Sequence, residues 1–115
     1  MGDYLIFESC GYHFTLPASM VEHLSECLNV ERPISFAQKV FGQAEQEACE
    51  LTLKSGTRIS VHRLVEIIPL SGRILPVPGY IFKNCNDWLR GIFWDHDPKL
   101  LLLNEGEVEC ILRSV

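Results

Sequence analysis

The strongest periodicity in the chain lies across residues 49–61. Cys49, Leu51 and Leu53 alternate with Glu50, Thr52 and Lys54; Lys54-Ser55-Gly56-Thr57 then has turn composition, and Ile59 and Val61 resume the alternation. A period of two puts one set of side chains on a buried face and the other in solvent, so this stretch predicts a β-hairpin. The chain opens in the same way. Tyr4-Leu5-Ile6-Phe7 is an aromatic and β-branched run, Cys10-Gly11-Tyr12 can turn it, and Tyr12-His13-Phe14-Thr15-Leu16 forms a return strand ended by Pro17.

Between the hairpins the pattern changes. Met20, Val21, Leu24 and Leu28 recur at spacings of three and four, which predicts a short helix; a loop followed by a core-lining strand fits the same positions. Pro33-Ile34-Ser35-Phe36 restarts an extended segment, residues 37–41 form one helical turn and Gly42 caps it. Residues 43–50 are a polar, acidic interruption. Leu64-Val65-Glu66-Ile67-Ile68 predicts a strand that stops at Pro69, and Ser71-Gly72 a turn. In Ile74-Leu75-Pro76-Val77-Pro78-Gly79, two prolines two apart exclude both a helix and a central strand, because proline has no amide hydrogen to donate. That segment is expected to be extended and to lie at a rim. The last third then predicts an element from Trp88 to Trp94, a loop at Asp95-His96-Asp97-Pro98 and an apolar strand over residues 100–103. A turn at Asn104-Glu105-Gly106 leads to a final strand through Val108, Cys110 and Leu112.

With 115 residues, 47% hydrophobic and 22% charged, the chain can bury a core as one domain without disulfides or metal. Its five cysteines, Cys10, Cys27, Cys49, Cys85 and Cys110, are odd in number and lack a Cys-x-x-Cys pair. This argues against a disulfide framework or a zinc clip and fits a reducing cytoplasm. A net charge of −5 with ten scattered basic residues argues against nucleic acid, whose binders cluster Lys and Arg. Residues 100–103 are the longest apolar stretch, far short of the roughly 20 residues that span a bilayer, and Asp3 and Glu8 stand where a signal peptide would be basic. Neither membrane insertion nor nucleic-acid binding is expected.

Asp95-His96-Asp97 is the most ligand-like cluster, since imidazole and carboxylate can share a metal ion. Adjacent side chains rarely converge on one ion, however, and turn preferences favour a solvated loop before Pro98. A cysteine nucleophile would need a base such as His13, His23, His62 or His96 beside it, together with an oxyanion hole. Cys49 and Cys110 instead fall in strand alternation, as small core residues do. No phosphate-cradling glycine motif and no Gly-x-Ser-x-Gly is present. The expectation is a chain with no catalytic residue, cofactor or metal site.

One segment departs from a generic β domain. Pro76, Val77, Pro78, Tyr80, Ile81 and Phe82 are followed by Trp88, Phe93 and Trp94. Such a set either closes a small barrel from within or lies open as a docking surface, because exposed apolar patches mark partner sites and Trp and Tyr are favoured anchors.

The order of these motifs resembles the CheW-like chemotaxis adaptor family. Tyr4-Leu5-Ile6-Phe7, Gly11-Tyr12-His13-Phe14-Thr15-Leu16-Pro17 and Val21 resemble its opening strands. Pro33-Ile34-Ser35-Phe36 with Val40-Phe41-Gly42 is similar to its next segment. Residues 50–70, Ile74-Leu75-Pro76-Val77-Pro78, Trp88-Leu89-Arg90-Gly91-Ile92 and residues 100–103 resemble its second half. The resemblance implies an all-β fold of two small, intertwined five-stranded β-barrel subdomains with one or two short helices. The chain would be a single domain, with residues 1–42 as a shortened first subdomain and 43–115 as the second. Between Leu28 and Pro33 it lacks a Pro-rich loop and an Asn-Leu-Arg-Gly strand of the family, so the first barrel is expected to be incomplete. His62 falls near a position where the family often has Asp.

The function implied is a non-enzymatic adaptor that binds a chemoreceptor, a CheA-type histidine kinase or a related signalling protein. Leu75, Pro76, Val77, Tyr80, Phe82, Trp88 and Arg90 are the partner-binding residues expected. The alternatives are a small-molecule sensor or enzyme using His62 or His96 with a nearby Cys, and a self-assembling module or homodimer that pairs an open strand edge.

Overall fold

The computed structural model describes residues 2–26, 33–43, 45–76, 89–96 and 99–104. The first hairpin forms as its aromatic and β-branched run and its glycine turn predict: β1 (Asp3–Ser9) pairs antiparallel with β2 (Tyr12–Pro17), and Ser9 faces Tyr12 across a two-residue turn. Both turn residues have positive φ, 51° at Cys10 and 83° at Gly11. That geometry matches the right-handed twist of paired strands, but it strains a residue with a β-carbon. A carboxylate from residues 43–50 holds the strained corner. Glu45 accepts from the Cys10 backbone N–H at 2.7 Å and from the Ser9 hydroxyl at 3.0 Å.

After a 3-10 turn, Ala18–Met20, the chain enters β3 (Val21–Glu26). The helix expected from the spacing of Met20, Val21, Leu24 and Leu28 is absent over the described part of that stretch. Val21 lies opposite Leu53 and His23 opposite Thr52, so Glu22 is an extra residue in a β-bulge. The bulge carries Val21 and Leu24, three positions apart, to the same core-facing side. A spacing of three thus arose from an interrupted period of two.

β4 (Ile34–Ser35) runs into α1 (Phe36–Phe41). The Ser35 hydroxyl caps the helix by accepting from the Gln38 N–H at 3.2 Å, and left-handed Gly42 ends it. The second hairpin is β5 (Cys49–Leu53) with β6 (Arg58–Val61). Next come β7 (Arg63–Pro69), β8 (Ile74–Leu75), β9 (Leu89–Phe93) and β10 (Leu100–Leu103). The predicted final strand through Val108, Cys110 and Leu112 lies outside the described residues, as does Leu28.

The fold is mainly β, in two sheets. One has the order β7-β1-β2-β10-β9-β8 and the other β3-β5-β6-β4 among the described residues. Both draw strands from either side of residue 42. A single residue, His62, separates β6 in one sheet from β7 in the other. β10 pairs parallel with β2 and antiparallel with β9.

The six-stranded sheet is buried on both faces. On one, Leu5, Phe7, Phe14, Leu16, Ile92, Leu101 and Leu103 pack with Phe36, Leu51, Leu53, Ile59 and Val61. The Phe36 ring sits 5.0 Å from those of Phe7 and Phe14, edge-on to both. On the other face, Ile6, Leu70, Phe93, Leu100 and Leu102 form a second cluster, with Tyr4, Val65 and Ile68 against it. This is why β10 is apolar at every position instead of alternating. No helix among the described residues is long and apolar enough to cross a membrane.

Two substitutions probe this packing. Phe36→Ala, which empties the space between Phe7 and Phe14, is expected to cost about 3–5 kcal/mol in urea unfolding. At Gly91 a β-carbon would lie 2.5 Å from the Ile74 side chain and 2.8 Å from the Leu75 carbonyl oxygen. Gly91→Ala is therefore expected to push β8 off β9 at a cost of about 1–3 kcal/mol. Hydrogen exchange should then accelerate at the Trp94 amide, which donates to the Arg73 carbonyl.

Candidate functional site

The two-residue strand β8 borders β9 at the end of the six-stranded sheet, with Ile74 opposite Phe93 and Leu75 opposite Ile92. The missing side chain of Gly91 lets it lie this close. Ile74 and Trp94 are exposed at 47% and 43%, unusual for side chains of this size beside a core. β9 carries its own bulge: Leu102 faces Gly91 and Leu103 faces Leu89, so Arg90 is the extra residue, exposed to solvent. Lys99 places its ammonium 4.6 Å from the centre of the Trp94 ring.

Of the residues expected to bind a partner, three are among those described, and they lie along this edge. Leu75 is half-buried, Pro76 is exposed, and Arg90 points outward from the bulge. Val77, Tyr80, Phe82 and Trp88 lie outside the described residues. Ile74 belongs to the same edge and was not among the expected residues. Its signal was the proline at position 76, which makes β8 too short to be covered on both sides.

A second apolar concavity, about 290 Å³, opens where β3, at the end of one sheet, approaches β7, at the end of the other. Leu5 and Ala18 line it, Val21 and Leu24 come from β3, and Ile67 comes from β7. Glu22, carried by the bulge, and His23 are polar members of its lining. Ile67 is 50% exposed, although it faces the same side as its partner Leu5. Sequence reasoning missed this groove. Its trace was the Ile67-Ile68 pair, since consecutive strand residues point to opposite faces and both can be buried only if the sheet is covered on both sides.

Polar groups gather at the other end of β1. Glu8 receives two hydrogen bonds from Arg63, at 2.9 and 3.1 Å, and lies 3.6 Å from the Nε2 atoms of both His13 and His62. The Arg63 hydrogen bonds, helped by the charge of Arg63 and the nearby His13 and His62 rings, hold the Glu8 carboxyl below the usual carboxylate range. His62 is fixed from its other side by a 2.8 Å contact between Nδ1 and the Gln46 carbonyl, and its own carbonyl accepts from Ala48.

The candidate chemical groups have other employment. Burial, with Glu45 and Glu47 nearby, pushes the Cys10 thiol up, the opposite of an activated thiolate. Cys49 is half-buried in β5; Cys27, Cys85 and Cys110 lie outside the described residues. Asp95 turns back to Arg73, accepting from its backbone N–H at 3.2 Å and its guanidinium at 2.9 Å, which ties the start of β8 to the end of β9. The His96 ring meets Phe93 edge-on, and Asp97 is outside the described residues. Among the described residues no three His, Cys, Asp or Glu side chains are grouped to hold a metal ion.

The sequence matches no protein-family model and no curated protein sequence. Among solved structures, the fold is similar to that of the scaffolding protein TtCheW from Thermoanaerobacter tengcongensis, with a TM-score of 0.63 and 12% identity over 90% of this chain and 88% of that one. At that identity the likeness is one of fold.

The cluster at Glu8 predicts a specific acid response. A carboxyl with a lowered pKa in the folded state contributes stability that is complete above its unfolded value, roughly 4.3, and is lost as pH falls through the folded value. Glu8→Gln should therefore unfold more easily than wild type at neutral pH, by at most about 1 kcal/mol because Arg63 is exposed. The difference should vanish in urea titrations at a pH below both values; a difference independent of pH would refute the ion-pair account.

Proposed function

We propose that this chain is a non-enzymatic, cytoplasmic adaptor of chemotaxis-type signal transduction that binds a chemoreceptor, a CheA-type histidine kinase or a related signalling protein. The observation that carries the reading is the fold it shares with a CheW scaffolding protein over nearly the whole of both chains. The physical character of its surface supports it. Large apolar side chains, Ile67 and Ile74, stand exposed on the two outer strands of the six-stranded sheet, and the Cys10 thiol is tuned away from nucleophilic chemistry. In this reading the chain is one domain of two interleaved subdomains, 1–42 and 43–115. Partners dock through Leu75, Pro76, Val77, Tyr80, Phe82, Trp88 and Arg90, of which Leu75, Pro76 and Arg90 lie along the described edge, and the groove beside Ile67 offers a second contact.

The test is a pull-down from lysate of the native host with the chain as bait, read by mass spectrometry. Wild type should recover a chemoreceptor or a CheA-type kinase. Leu75→Asp and Tyr80→Asp should reduce that recovery at least about tenfold, a loss of some 1.4 kcal/mol, with circular dichroism unchanged. Recovery of neither class by wild type would overturn the adaptor reading; recovery undiminished in both variants would overturn the placement of the site. Ile67→Asp reports on the groove separately.

A further inference from the structure

We draw no further inference here: the strongest candidate, the apolar groove between β3 and β7 with Glu22 in its lining, belongs to the partner contact already proposed, and nothing in the structure shows what covers it.

Discussion

Four consecutive leucines in β10 must all leave water, and a strand can bury every position only if its sheet is covered on both faces. Each buried leucine contributes about 1.5–3 kcal/mol, so the demand is strong. The solution places β10 between β2 and β9, with Leu101 and Leu103 in the core shared by the two sheets and Leu100 and Leu102 in the second cluster. The Thr15 hydroxyl, fully buried, donates to the Leu101 carbonyl across the parallel pair. A strand from the last part of the chain is thereby locked beside the first hairpin. The six-stranded sheet therefore cannot be assembled from one contiguous stretch of sequence, whereas the described strands of the other all lie within residues 21–61.

That interleaving requires the chain to cross between sheets, first through residues 18–20 and then, between β6 and β7, through the single residue His62. The crossing is held by polar contacts rather than by bulk. Residues 45–48 act as a strap, with Glu45 on the β1–β2 turn, Gln46 on the His62 ring, and Ala48 on the His62 carbonyl. Glu47 extends it to the four-stranded sheet and to α1, accepting from the Ser60 hydroxyl and the Ala37 amide. The acidic interruption is thus a structural brace. It satisfies backbone donors at a strained turn and at a helix start, where an unpaired group would be costly.

The candidate surfaces follow from where the sheets end. Among the described residues β3 and β7 are terminal strands of different sheets, and their approach leaves Ile67 beside a groove instead of in a core. Among the described residues β8 is the last strand of the six-stranded sheet, only two residues long before Pro76, and Ile74 stands exposed on an edge that Gly91 allows to pack closely. Bulges in β3 and β9 then aim Glu22 and Arg90 outward beside these apolar residues. The same devices that end the sheets cleanly decide which side chains a partner can touch.

Local chemistry determined a good deal by itself. Apolar runs, alternation and turn residues specify the two hairpins, Ser35 and Gly42 bracket the helix, and Pro76 follows directly on β8, because each depends on interactions within a few residues. The order of these signals was enough to indicate a mainly β chain with a fold like that of a CheW scaffolding protein. Tertiary structure decided the rest. The bulge at Glu22 turned an apparent helical spacing into a strand, since its register is set by β5, some thirty positions away in the sequence. The groove at Ile67 exists only because two distant strands end side by side. Asp95 became a clasp because Arg73, 22 residues earlier in the chain, arrives beside it. Pairing partners far apart in the chain fix which face of a strand is buried, and no local pattern encodes where a sheet will stop.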